Sequence, residues 1–311
     1  MAADDTLAGI LTLTDANNDQ IDVTDLLEGA PFLQVLYAKK SSHGTQHQYM
    51  KEVTAPGVGF RAVDTGLVNA AGEEEQQTET LAFLDATVRR DIAKAKAGGD
   101  VDAYMGKQAE KSLKTAFAHM EGQILNGTGN EADGFNGFAD NVYVDDVGDG
   151  MVVDAGGTGG NNVYLVRVGD DDAALTYSTD QLSMSEMYRS RGASGAAYTE
   201  LVIDIDGYFG LQVGSQFSLA RIYGLDGTSG NTLTDDMLAE AAALAPTARP
   251  FTHCIMNRVT HRELQQSRTA TNPTGNPAPF PTVINGPNGD IPIVVTDQLA
   301  TANTLATTTT T

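Results

Sequence analysis

Apolar residues recur three and four positions apart at Val101, Met105, Ala109, Leu113, Ala116, Phe117, Met120 and Ile124, the spacing of one buried face of a helix. The pattern predicts a helix over 101–126, with Asp100 or Asp102 suited to its start and Gly127 to its end. At ~1.5 Å per residue such a helix is about 40 Å long, more than most globular domains use. Its polar positions, Lys107, Glu110, Lys111, Lys114 and Glu121, are expected to meet solvent or another chain.

Elsewhere the pattern changes period. His47–Thr54 and Gln76–Leu84 have strand character and flank a segment with Gly57, Gly59, Gly66 and Gly72, which predicts a long hairpin. Two strands with few large apolar side chains have no second layer to bury a face against, so this hairpin should be steadied by a neighbouring subunit. Asn162–Val168, Tyr198–Asp206 and Tyr208–Tyr223 read as further strands and Thr234–Ala245 as a second helix. Near the end, Phe251–Met256 is a short apolar run and Asn257 can cap a polar helix from Arg258. A Pro/Asn/Gly loop and a returning strand at Gly289–Leu299 follow. Residues 1–43 carry apolar groups at Leu7–Leu13, Leu26-Leu27 and Phe32–Leu36, too scattered for a core of their own, so they form an arm that packs on something else. Thr301–Thr311 is low complexity.

Composition narrows the function. Asp and Glu number 41 against 19 Lys and Arg, a net charge of −22, which argues against a dedicated nucleic-acid surface because phosphate contacts need clustered cations. Aromatics are only 6% with no Trp, and Gly reaches 33 residues, so the cores should be aliphatic and the turns many. The single Cys254 lies in an apolar run, which excludes an intrachain disulfide and fits a small buried hydrophobe. The acidic start Met1-Ala2-Ala3-Asp4-Asp5 lacks the basic-then-apolar order of a signal peptide, and no apolar run reaches membrane-spanning length. A cytosol-like compartment for synthesis is expected.

Candidate chemistry is thin. Asp15, Asn17 and Asp19 resemble the start of a calcium loop, yet Gln20 stands where Gly is needed and no Glu closes the loop. They remain a weak metal candidate beside the plainer reading of a solvated acidic turn. His43 and His47 have helical metal-pair spacing across a poor helix. Gly156-Gly157-Thr158-Gly159-Gly160 is followed by strand character rather than a Lys-Ser/Thr and a helix. Gly192-Ala193-Ser194-Gly195 misses the nucleophile elbow by one position. Asp204 and Asp206 would share a solvent-facing side of a strand rather than act as an acid and base pair. No enzyme hypothesis gathers two supporting features, and no cofactor is implied.

Four stretches, taken in order, resemble a known family. They are Val63–Val68 with Glu79–Ala93; Phe117–Gly127 with Gly134-Phe135-Asn136-Gly137-Phe138; Val152–Gly169; and Arg249–Arg258 with Gly289–Leu299. Together they are similar to the major capsid proteins of tailed viruses with the Hong Kong 97-type fold, in the branch that includes the epsilon15 coat protein. The resemblance runs from about Leu26 to Leu299 and departs at Tyr177–Ala197.

It implies an α+β capsid fold. The expected parts are an N-terminal arm (1–43), an extended loop hairpin (44–82), a peripheral domain (83–150) with the spine helix 101–126, a β-rich segment shared by two domains (151–225), and an axial domain with the C-terminal return strand (226–311). It further implies self-assembly as pentamers and hexamers into an icosahedral virion shell in a host cytoplasm. The implied partners are a portal at one vertex, separate scaffolding or decoration proteins, and double-stranded DNA that is confined without sequence-specific binding. Some members weld their shells through Lys–Asn bonds near the loop tip; Lys51, the one Lys of this hairpin, sits in its stem, so no such bond is expected. Assembly-interface candidates are Lys51, Phe60, Arg61 and Glu79 on the hairpin and Arg89, Arg90, Lys107 and Lys111 near the helix.

Two rivals are an encapsulin-like cellular compartment and an acidic hydrolase or calcium module on an unrelated fold. The acid excess also suits a halophilic or marine source, because molar salt shrinks the Debye length to roughly 3 Å and screens the self-repulsion. Thermal melting in low and in molar salt tests this: a halophilic protein gains stability and assembly with salt, whereas an ordinary acidic surface shows no gain.

Overall fold

The computed structural model describes residues 26–300, apart from 55–56, 65–71, 98, 145–149, 179–181, 192–197, 229 and 273–275. In chain order the elements are β1 (Tyr37–Lys40), β2 (Gln46–Thr54), β3 (Glu73–Thr80), β4 (Ala82–Asp85), β5 (Val88–Asp91), α1 (Ile92–Ala97) and α2 (Val101–Asn126). Then come β6 (Val152–Asp154), β7 (Asn161–Val166), β8 (Ala173–Tyr177), β9 (Ser183–Met184), β10 (Tyr188–Arg191), β11 (Thr199–Ile203), β12 (Ile205–Val213) and β13 (Leu219–Leu225). The last group is α3 (Asp235–Ala243), β14 (His253–Met256), α4 (Arg258–Thr271), β15 (Val283–Gly286) and β16 (Gly289–Val295).

The strands make four sheets: β15-β16-β14-β7-β13-β6; β1-β8-β12-β4 with β9 beside β12; β10-β11-β5; and the β2-β3 hairpin. The first is built on β7 and β13, whose residues are buried throughout, as in a central strand covered on both faces. Within it Arg221 of β13 is 1% exposed. Its guanidinium lies 5.8 Å from the Tyr164 ring and 5.4 Å from the Tyr223 ring, and donates to Asn162 Oδ1 at 3.2 Å and Val144 O at 3.1 Å. Rings at Phe32, Phe138 and Tyr164 stand 5.9 and 5.8 Å apart in succession and carry this core towards the N-terminal segment.

Helix α2 starts and stops as its sequence predicts. Asp100 accepts from the Asp102 and Ala103 amides at 3.0 and 3.2 Å, and Gly127 ends it at φ 56°, a conformation that costs glycine little. All the predicted apolar positions from Met105 to Ile124 are buried, and Val101 is half-buried. The polar reading of Glu121 is corrected: it is fully buried, because the last turns of α2 enter the core on every side. Its carboxylate accepts from the Phe32 amide at 2.8 Å, the Leu33 amide at 3.3 Å and the Thr296 hydroxyl. Asn126, one turn on, donates to Gln298 O at 2.8 Å and accepts from Ala300 N at 2.9 Å. Residues Leu26–Leu36 and the chain after β16 are thereby fastened to one end of the helix, and Leu27, Phe32, Leu33 and Leu36 are buried there.

Three further expectations are corrected. Gln76–Leu84 is not one strand: the chain turns at Leu81, and β3 and β4 belong to different sheets. Tyr208–Tyr223 is likewise two strands, because Ser215 caps a short 3-10 turn at Gln216–Ser218 that passes the chain between sheets. The Pro/Asn/Gly loop holds a strand, β15, which pairs with β16 from Val283↔Pro292 to Gly286↔Gly289.

Burial pushes the Glu121 carboxyl up from 4.5 to about 7, against the pull of its three hydrogen bonds. Between those values the folded chain holds a proton that the unfolded chain releases, so this group's contribution to stability falls as pH rises through the window and is level above it. Urea titrations near the two ends of that window should show wild type losing about 2–3 kcal/mol relative to Glu121→Gln. Glu121→Ala, which strands three donors, should cost about 2–4 kcal/mol.

Candidate assembly surfaces

The hairpin is anchored at one end and exposes large apolar side chains at the other. β2 and β3 pair from Gln46↔Thr80 to Thr54↔Glu73. At the base His47 is buried. Its Nδ1 accepts from the Ser42 amide at 3.3 Å, so Nε2 carries the proton and donates to Gln212 Oε1 at 2.7 Å. Burial holds this imidazole below its ordinary pKa, which keeps the base neutral. Tyr49 stacks on His47 at 5.7 Å and donates to Val213 O at 3.4 Å. Beyond these contacts Met50, Glu74, Glu75 and Gln76 are exposed. At the far end Val58, Phe60 and Val63 have relative exposures of 96%, 109% and 90%.

A second surface collects cations. The register Arg189↔Leu201↔Arg90 puts both arginines on one face of the three-stranded sheet. Arg90 reaches α2, donating from Nε and Nη2 to Gln108 Oε1 at 3.2 and 3.0 Å. Lys111, three positions after Gln108 and so on the same face of α2, is exposed, and Lys107, Arg89 and Lys94 are exposed elsewhere on these elements. In a chain of net charge −22 this is a local positive island.

The strands β4 and β5 run along α2 in the opposite direction, so the same helix carries a third feature. The Ser112 hydroxyl donates to Ala86 O at 2.7 Å midway. Towards the end of α2 a cavity of about 80 Å³ opens between Leu84, Met120, Phe135 and Phe209. His119 and Glu131, 2.7 Å apart and both exposed, form its rim. Phe83 stands beside it, half exposed and 5.0 Å from the Tyr208 ring. Its floor is set by the Gly134–Phe138 turn, where Gln123 donates to Phe135 O at 2.7 Å. A Cβ on Gly137 would stand 2.4 Å from Gln123 O, so only glycine fits there.

The sequence-predicted residues fall into two groups. Phe60 and Arg61 lie at the hairpin's far end, Glu79 is half-buried opposite His47, and Lys51 faces Glu75 across the ladder, its side chain outside the described residues. Arg90 reaches α2 at Gln108, between Lys107 and Lys111 in sequence, whereas Arg89 lies on the other face of the sheet in register with Val202 and Tyr188. Arg189 shares a sheet face with Arg90, and Lys94 is exposed on α1, neither having been singled out. Arg189 enters through strand pairing, and Lys94 through the short helix that follows β5, neither of which a linear pattern displays. The cavity needed three-dimensional closure and had no sequence signal.

Asp15, Asn17 and Asp19 lie outside the described residues. Among the described residues no group of three His, Cys, Asp or Glu side chains could hold a metal ion. Asp204 and Asp206 do not share a strand: Asp204 falls between β11 and β12. They accept from the Tyr188 and Ser183 hydroxyls at 2.8 and 2.6 Å. Burial raises the Cys254 thiol far above its usual range, so it is no nucleophile.

The family model of major capsid protein GP7 matches residues 15–278. No curated protein sequence matches the chain significantly. Among solved structures, that of bacteriophage epsilon15 superposes with a TM-score of 0.63 at 13% identity, covering 88% of each chain. The bacteriophage JBD30 capsid gives 0.53 at 11% identity over 93% of this chain and 98% of the other. The JBD30 capsid decorated with minor capsid protein trimers gives 0.51 at 14% over 93% and 99%.

Proposed function

The chain belongs to the major capsid protein GP7 family, and we propose that its copies assemble as pentamers and hexamers into the icosahedral shell of a tailed virus around double-stranded DNA. The role is structural. The observation that carries it is the family match across residues 15–278. A cellular compartment shell and an acidic hydrolase have no comparable support.

The mechanism is addition. The hairpin reaches out from its base at His47, and its exposed Glu74 and Glu75 are complementary in charge to Arg90 and Lys111 on the next copy. One exposed ion pair contributes only ~0.2–1 kcal/mol, but a closed shell repeats each contact and makes them act together. Lys51, Phe60, Arg61 and Glu79 of one copy, with Arg89, Arg90, Lys107 and Lys111 of another, are the proposed contact residues. A portal occupies one vertex, scaffolding and decoration come from separate chains, and assembly takes place in the host cytoplasm. Net charge −22 leaves the DNA confined rather than gripped.

Gradient sedimentation and electron microscopy of the expressed protein, with and without a scaffold, test the reading: shells support it and persistent monomers refute it. Within it, the double substitution Arg90→Glu and Lys111→Glu should raise the subunit concentration needed for assembly by about tenfold or more. Glu74→Lys with Glu75→Lys in the same chain should restore it in part, as read by light scattering.

A further inference from the structure

We infer that the core around Arg221 binds one small singly charged anion, chloride first among them, held by the guanidinium of Arg221, the side-chain amide of Asn162 and the hydroxyl of Tyr164. The inference does not depend on the shell reading, since every group it uses lies inside one subunit.

Strand register brings the three side chains together. Arg221 of β13 stands directly opposite Tyr164 of β7, and Asn162, two positions along β7, points to the same side of the sheet. Arg221 is 1% exposed and the other two are 0% exposed. A guanidinium has only donors and no acceptor. Arg221 uses Nε on Asn162 Oδ1 and Nη1 on Val144 O. Its Nη2, together with Asn162 Nδ2 and the Tyr164 hydroxyl, has no hydrogen-bond partner among the described residues.

The charge is as one-sided as the donors. Arg221 takes no part in the ion pairs of the described residues, and the rings of Tyr164 and Tyr223 offset its charge only in part. Tyr164 does not supply the counter-charge as a phenolate: burial raises its pKa above the ordinary value, and the pull of Arg221 in the other direction is smaller. A charge taken out of water without a counter-charge costs more than the whole stability margin of a folded chain. Water is a poor occupant here, because it brings two hydrogens of its own to a cluster already in excess of donors. An ion that only accepts meets the free donors and cancels the charge together. One arginine calls for one negative charge, which chloride matches and sulfate exceeds.

The test follows urea unfolding of the full chain at fixed ionic strength as sodium chloride replaces sodium gluconate, whose bulky anion does not suit a closed core. Once the site is filled, the unfolding equilibrium constant of wild type should fall about tenfold for each tenfold rise in chloride. Arg221→Met removes the charge, and Asn162→Asp sets a carboxylate beside the guanidinium; both should respond far less. If Arg221→Met fails to fold, Asn162→Asp decides alone. Anomalous diffraction from crystals grown in bromide should place one ion against Arg221 Nη2 and Asn162 Nδ2. Wild type that is indifferent to chloride would mean that a carboxylate of the chain itself meets Arg221, and would overturn the proposal. A chloride response that Asn162→Asp leaves unchanged would place the ion elsewhere and overturn it equally.

Discussion

One buried carboxylate governs the layout of this subunit. Glu121 lies where the long helix enters the core, and its oxygens are taken by two amides of the N-terminal segment and one hydroxyl just beyond β16. These three stretches are far apart in sequence and share no strand pairing. A carboxyl in such a place costs desolvation, and its three partners return part of that cost. Asn126 repeats the device one turn later with Gln298 and Ala300. Because both chain ends of the described fold are held at the buried end of α2, the other end of that helix is left to carry the exposed cations.

The helix itself was fully legible, since its apolar spacing, its Asp100 cap and its Gly127 stop all agree. The hairpin was legible in its pairing and in its lack of a core. Glu121 was not, because helical periodicity places a residue on a face and says nothing about where along the helix the protein closes over every face. Breaks at Leu81 and at Ser215 were missed for a related reason: both flanking runs are strand-like, and a change of sheet leaves no mark in a period-two pattern. β15 was lost inside a segment dense in Pro, Asn and Gly, where turn signals outweigh four residues of strand.

The candidate surfaces divide in the same way. Arg89, Arg90, Lys107 and Lys111 could be picked from the sequence because cations are scarce here. Arg189 could not, because it reaches them only through two strand pairings. The apolar cavity depends on the turn at Gly134–Phe138 folding back on Gln123, a contact between parts that are unremarkable in isolation.

The hairpin's two strands have consequences before any shell exists. A two-stranded ribbon presents unpaired amides and carbonyls along both outer edges, an open template for any other strand in a crowded cell. In this ladder Glu73, Glu74 and Glu75 stand opposite Thr54, Glu52 and Lys51 in turn, so two such ribbons approaching side by side bring like charges together. That clustering of like charge disfavours edge-to-edge pairing of two free ribbons.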